Sequence, residues 1–106
     1  MWKIDKGSLT GTTTANYANA LDWSVEEMRE KTIVLKNTHA SASLKYKLLV
    51  YAATAGIAGE EVAETALAAG ETAKIQLTRQ WARLVLQVID SSGHATYQVD
   101  YIGQGA

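Results

Sequence analysis

The 106-residue chain contains no cysteine. It can therefore form no disulfide bond and offers no thiolate chemistry, which suits a reducing cytosol but does not exclude other compartments. The charges nearly cancel, since 10 lysines and arginines stand against 11 aspartates and glutamates for a net charge of -1. No excess of either sign is available to attract nucleic acid or an acidic membrane surface, so we expect neither as a partner.

Long apolar runs are also missing. No segment reaches the roughly 18 apolar residues of a membrane span, and residues 1–14, MWKIDKGSLTGTTT, lack the apolar stretch of a signal peptide. We therefore expect synthesis in the cytoplasm without export by that route. The contents of 47% hydrophobic and 20% charged residues are those of an ordinary folded domain, and a chain of this length can build one core.

Residues that carry catalytic or metal chemistry are few and scattered. His39 and His94 each stand alone in a turn-prone segment, without a second histidine at ligand spacing. The group Asp90, Ser91, Ser92 and His94 has the composition of a β-turn rather than of a catalytic triad. No glycine-rich phosphate loop is present. We therefore predict no enzymatic activity, no metal site and no cofactor.

Alternating apolar residues mark the strands. Residues 32–52, TIVLKNTHASASLKYKLLVYA, contain two alternating segments around a turn-prone stretch, which predicts a central hairpin. Residues 81–102 have the same organisation and predict a second hairpin across the core. These patterns favour an all-β fold over residues 21–106: a single antiparallel β-sandwich, Ig-like or jelly-roll-like, of about seven strands. Its predicted inner faces comprise Ile33, Leu35, Tyr46, Leu48, Val50, Ile75, Leu77, Leu84, Leu86, Val88, Val99 and Tyr101.

Two segments are ambiguous. Residues 21–31, LDWSVEEMREK, favour one helical turn, because Ser24 and Glu27 have capping-box spacing. Residues 60–69, EEVAETALAA, favour a helix by intrinsic propensity. Strands flank this second segment, however, and pairing commonly overrides weak propensity, so we favour a short edge strand at 61–65 followed by a turn at 67–71.

Residues 1–20 form an N-terminal arm or edge segment in this interpretation, because their large side chains are too widely spaced for a clear strand or helix face. The segment is either a loose terminus with an edge strand near residues 2–4 or an extended arm that orders against a neighbouring subunit. In the second case large apolar and aromatic side chains supply the contact. The candidate contact residues are Trp2, Ile4, Leu9, Tyr17 and Trp23.

Three segments together resemble small proteins encoded among the virion genes of tailed bacteriophages: IVLKNTHASASLKYKLLVYA, ALAAGETAKIQL and WARLVLQVIDSSGHATYQVDYIG. The resemblance is carried by an Asn-Thr turn at 37–38, Tyr46 in the return strand, a Leu-x-x-Gly-Glu-Thr turn at 67–72 and a Tyr-x-Val-x-Tyr-Ile strand at 97–102. It implies an accessory virion component, such as a decoration or tail-associated module. It carries over no catalytic residue.

We therefore expect a non-enzymatic structural protein of a virion, which oligomerises with its own copies or docks on a repeating protein surface. An alternative is a carbohydrate- or peptide-binding module. In that case exposed rings such as Trp23, Tyr51 or Trp81 stack on a sugar or grip a peptide.

Overall fold

A computed structural model describes residues 3–53, 55–90 and 94–105 of the chain. These residues form eight strands and no helix, so none of them belongs to a helix able to cross a bilayer. The all-β prediction is confirmed, with eight strands in place of about seven. The strands are β1 (Lys3–Thr12), β2 (Ala18–Ser24), β3 (Glu30–Asn37), β4 (Leu44–Tyr51), β5 (Ala58–Leu67), β6 (Thr72–Leu77), β7 (Arg83–Ile89) and β8 (Thr96–Gly105).

The strands form two four-stranded antiparallel sheets that pack face to face. Sheet A has the order β1-β8-β3-β6 and sheet B the order β2-β7-β4-β5. Every connection between consecutive strands passes from one sheet to the other, except that from β4 to β5. This order is that of a jelly roll, the second of the two sandwich types that the sequence allows.

The two predicted hairpins are wrong, although their strands are right. β3 pairs with β6 and β8 in sheet A, whereas β4 pairs with β5 and β7 in sheet B. Likewise β7 belongs to sheet B and β8 to sheet A. The alternation of side chains identifies a strand and its inner face, but the choice of partner depends on contacts distant in sequence.

A buried asparagine stabilises the connection that leads from β3 in sheet A to β4 in sheet B. Asn37 is 0% exposed, and its side-chain amide donates hydrogen bonds to the carbonyls of Ala42 at 2.8 Å and Leu67 at 3.0 Å. Its side-chain oxygen accepts a hydrogen bond from the backbone N–H of His39 at 3.0 Å. Because these partners lie in the β3–β4 connection and at the end of β5, the chain is led over to sheet B.

The helical turn predicted within residues 21–31 is also wrong. Residues 18–24 form strand β2, whose pairing with β7 buries Leu21 and Trp23 in the core. A short connection follows, in which the N–H of Met28 donates to the carbonyl of Val25 at 3.0 Å. The gain from burying these large side chains outweighs the weak local preference for a helical turn.

The core agrees closely with the predicted inner faces. All the predicted core residues are buried except Tyr101, which is partly buried and packs against them. The sequence interpretation missed the contribution of β2 and the turn after it, chiefly Leu21, Trp23, Val25 and Met28. The segment predicted as a strand rather than a helix is a strand, but it spans residues 58–67 instead of the predicted 61–65. The turn after it places Gly70 at a φ of 79°, which favours glycine.

Candidate functional site

The few residues with catalytic or metal-binding chemistry are not assembled into a site in the described part of the chain. No group of three or more histidines and carboxylates there could hold a metal ion. The ring nitrogen Nδ1 of His39 accepts hydrogen bonds from the N–H groups of Ser41 at 3.1 Å and Ala42 at 2.9 Å, so this ring braces a turn. His94 is exposed. Ser91 and Ser92 of the predicted second turn lie outside the described residues.

Among the described residues, the strands that bound the two sheets are the strongest candidates for function. An edge strand carries unpaired N–H and C=O groups on one side, which can pair with another chain. Sheet A is bounded by β1 and β6, and sheet B by β2 and β5. Three of these edges are short or irregular: β6 has 6 residues, β2 has a register shift between Asn19 and Leu21, and β5 has two shifts against β4.

The edge β5 is both irregular and acidic. Its register shifts lie between Tyr46 and Leu48 and between Leu48 and Leu49 on the paired strand β4. Its three glutamates, Glu60, Glu61 and Glu64, are exposed. Bulges and charged side chains are the usual devices that prevent an edge from pairing with other chains.

The edge β1 carries charged side chains only in its first four residues, at Lys3, Asp5 and Lys6. It pairs with β8 from Lys3 opposite Gly105 to Thr12 opposite Thr96 without a register shift. Its inner face is filled by tyrosines of β8: a Cβ atom added at Gly7 would meet the ring of Tyr101, and one added at Gly11 would meet the ring of Tyr97. Aromatic rings laid over edge glycines hold an edge strand in a fixed register.

A hydrogen bond also ties β1 to sheet B. The indole N–H of Trp23 in β2 donates to the Asp5 carboxylate at 2.8 Å. The same indole packs against Tyr101, with ring centroids 4.9 Å apart. β1 is thus held by β8 and by Trp23 of sheet B. The backbone edge of β1 that points away from β8 has no neighbouring strand among the described residues.

Exposed apolar side chains collect at this edge. Ile4 is 59% and Leu9 41% exposed on opposite faces of β1, and Ile102, which is 48% exposed, lies on β8 opposite Lys6 on the same face as Ile4. Beside them, a shallow hollow of about 460 Å³ is lined mainly by apolar surface, including that of Val34 and Ile102. Of the described large hydrophobic residues that are exposed, only Ile57 lies elsewhere.

The polar groups next to this apolar surface bond to one another. The Ser8 hydroxyl donates to the Asp100 carboxylate at 2.5 Å, and the Gln98 amide donates to the same oxygen at 3.0 Å. These hydrogen bonds, the one from Ser8 foremost, lower the pKa of Asp100 below its usual value. The carboxylate therefore stays ionised and fixed in place at neutral pH.

Side chains on the outer face of sheet B interact with one another. Arg83 donates two hydrogen bonds of 2.7 Å to Asp22, which hold the pKa of that carboxyl below its usual value, and its guanidinium lies over the Tyr51 ring. Tyr17 donates to Glu64, and the Lys47 ammonium lies 4.1 Å from the Tyr17 ring centroid. Desolvation and the bond to Glu64 raise the pKa of Tyr17 to about 12.

The predicted contact residues fall into different environments. Trp2 lies outside the described residues. Ile4 and Leu9 share the exposed edge β1, Tyr17 lies on the outer face of sheet B, and Trp23 is buried at 4% exposure. A role in protein contact stays a prediction for all of them. Ile102 was missed as a contact candidate, because its alternation places it on the outer face of β8 but does not reveal β1 as the neighbouring strand.

The rings of the carbohydrate-binding alternative do not form one exposed row. Trp23 is buried, and Tyr51 lies under Arg83. Trp81 is partly buried, and its indole N–H is buried without a hydrogen-bond partner among the described residues. This arrangement does not offer the flat row of rings on which sugars stack.

No family model matches the chain, and no curated protein matches it either. Solved structures, in contrast, do match the chain. A protein of the disulfide-linked pili of Bacillus endospore appendages aligns with a TM-score of 0.71 and 15% identity over 99% of this chain and 88% of its own. PirA aligns with a TM-score of 0.61 and 15% identity over 92% of each chain. The SPBc2 prophage-derived protein YomS aligns with a TM-score of 0.52 and 17% identity over 97% of this chain and 96% of its own. At such low identity these likenesses show that the chain has their fold.

Proposed function

We propose that this protein is a non-enzymatic structural component of a virion, which attaches to a repeating protein surface or to its own copies through the edge strand β1. The observation that carries the proposal is the combination of an unshifted ten-residue edge with exposed isoleucines on and beside it. Backbone groups on an open edge provide affinity for a neighbouring chain, and the side chains on either side of it provide specificity.

The comparisons support this proposal through the fold. The same sandwich occurs in the pilus protein and in the prophage-derived protein. A fold alone does not determine a function, so the argument depends on the edge itself. Because these 106 residues contain no cysteine, they cannot form the disulfide links of the pilus protein. An assembly built by them therefore depends on contacts other than disulfide bonds.

The polar groups support a structural rather than a chemical role. On the outer face of each sheet, polar side chains bond to neighbours on the same face. Asp22 and Arg83 form such a pair on sheet B, and Ser8 and Asp100 form one on sheet A. A catalytic acid or base must instead be able to form a hydrogen bond with a substrate. The paired groups fit a surface that is fixed for contact with another protein.

Particle association tests the proposal. Virions produced by a strain that carries the gene are purified on a density gradient, and the protein is quantified in them by mass spectrometry. We expect many copies per particle, and far fewer of the Ile4→Lys variant, which places a charge in the proposed contact.

The control is Ile57→Lys, since Ile57 is 92% exposed and lies in the β4–β5 connection away from β1. This variant should associate as the unchanged protein does. Absence of the unchanged protein from purified particles would overturn the proposal, and so would an equal loss of both variants.

A further inference from the structure

We infer that the partner of β1 is β1 of a second copy of this chain, paired antiparallel across a two-fold axis, so that the two A sheets become one continuous sheet. This inference rests on the proposed use of β1 as the contact edge and deepens it by naming the partner and the symmetry. A two-fold contact of this kind brings the same surface of both copies together.

The other edges of a second copy are poor partners for β1. β2 and β5 are broken by register shifts, and bulges twist an edge away from a straight ladder. β6 is regular but has only 6 residues, too few to match the ten of β1. Within the described residues only β1 offers an unshifted ladder of ten residues, so a second β1 matches it in length.

The charges of β1 favour an antiparallel partner. Lys3, Asp5 and Lys6 all lie in the first half of the strand, while residues 7–12 carry no charge. A register centred on Ser8 sets Lys6 of one copy opposite Thr10 of the other and keeps the outer faces of both copies on the same side. A parallel arrangement in register would instead bring Lys6 beside Lys6, and like charges in that position repel.

The same register also covers apolar surface. It sets Ile4, which is 59% exposed, beside Thr12 of the second copy, whose branched side chain packs well against a neighbouring isoleucine. The contact occurs twice because of the symmetry. The second copy also satisfies the unpaired N–H and C=O groups that point away from β8.

Charge substitutions at Thr10 test the pairing directly. Thr10 is exposed, and in the proposed register it faces Lys6 of the second copy. Thr10→Lys should weaken the dimer by about three- to tenfold, since two lysine pairs oppose each other in each dimer. Thr10→Glu should strengthen it by a similar factor. Within one copy the two positions are about 13 Å apart, too far for a strong interaction.

Sedimentation equilibrium over a concentration series measures these effects. The unchanged protein should reach twice the 11.4-kDa monomer mass and no more. The double variant Lys6→Glu/Thr10→Lys should recover the dimer that Thr10→Lys loses, and Gln76→Lys on the edge β6 should leave it unchanged. Circular dichroism verifies that each variant is folded.

Three results would overturn the inference: a monomer at every concentration, species that grow beyond the dimer, or the same response to Thr10→Lys and Thr10→Glu. The outcome is separable from that of the proposed function. A dimer that is absent from purified particles supports this inference and contradicts the virion role. A strictly monomeric protein that is abundant in particles contradicts this inference and supports the virion role.

Discussion

The strands β1 and β5 are both ten residues long and both bound a sheet, yet they differ in their register with the neighbouring strand and in their exposed side chains. β1 keeps one register with β8 throughout, while β5 shifts twice against β4. β1 exposes Ile4 and Leu9 beside Lys6, while β5 exposes three glutamates. The comparison teaches that an open edge is suited to pairing by its regularity and surface chemistry rather than by its length.

The two edges are also anchored differently. β5 is exposed or partly exposed until its last residue, Leu67, which is buried and whose carbonyl accepts a hydrogen bond from Asn37. β1 is held along its length, because Tyr97 and Tyr101 lie over its glycines and Trp23 bonds to Asp5. β1 is therefore presented as a straight, fixed ladder, which lowers the entropy that pairing costs.

The largest predicted effect removes the anchor of β5. Asn37→Ala leaves the carbonyls of Ala42 and Leu67 and the N–H of His39 without their side-chain partner, the Leu67 group in a buried place and the other two in partly buried ones. An unsatisfied buried group costs about 1–3 kcal/mol and a partly buried one less, so we expect the free energy of unfolding to fall by about 3 kcal/mol. Urea denaturation monitored by tryptophan fluorescence measures it.

The exposed neighbour Thr38 provides the control for this substitution. Its hydroxyl bonds to the Thr96 hydroxyl at the surface, at 3.0 Å. Thr38→Ala should change the free energy of unfolding by less than about 0.5 kcal/mol. If the two substitutions lower the free energy of unfolding equally, Asn37 does not stabilise the connection from β3 to β4.

The next effect concerns the anchor of β1. Gly7→Val suits a strand by propensity, but its side chain would meet the ring of Tyr101. Displacing a packed ring should lower the free energy of unfolding by about 1–3 kcal/mol. Thr10→Val adds the same side chain on the exposed face of the same strand and should change it by no more than about 0.5 kcal/mol. Thermal denaturation at low protein concentration distinguishes them, and equal stability would show that the ring does not need the glycine.

The smallest effect lies on the outer face beside β5. Tyr17→Phe removes the hydroxyl that donates to Glu64 at the surface and should cost less than about 0.5 kcal/mol at neutral pH. Because the pKa of Tyr17 is raised to about 12, folding favours the protonated phenol. That contribution is complete below about pH 10 and is lost as the pH rises towards 12.

The difference in stability between the unchanged protein and Tyr17→Phe should therefore shrink or change sign between neutral and strongly alkaline pH. Urea denaturation curves of both proteins over that range measure it. A difference that grows as the pH rises would contradict the assignment of the raised pKa to this contact.

Much of the sandwich could be predicted from alternation, because each strand of a sandwich turns one face to the core. Leu84, Leu86 and Val88 show the pattern, and all three are fully buried. Strand partners could not be predicted in this way. Residues 37–43 look like a hairpin turn, but the buried hydrogen bonds of Asn37 lead them across to the other sheet.

The candidate edge could be predicted only in part. The sequence named Ile4 and Leu9 among the candidate contact residues, but it indicated at most an edge strand near residues 2–4, so β1 was not recognised as a full strand. Its inner positions 7 and 11 are glycines, and the apolar side chains that fill this space belong to Tyr97 and Tyr101, which are distant in sequence. Trp23 shows a different limit, since its neighbours suggested a helical turn, whereas pairing with β7 places it in a strand and buries it.

Hydrogen exchange of backbone amides tests most directly that β1, and not β5, is the edge that pairs. Exchange is followed in both strands at low and at high protein concentration, with Thr10→Lys as the weakened reference. We predict that amides of β1 gain protection as the concentration rises, that β5 shows no change, and that Thr10→Lys removes the gain. Protection that appears in β5, or in neither strand, would contradict the account.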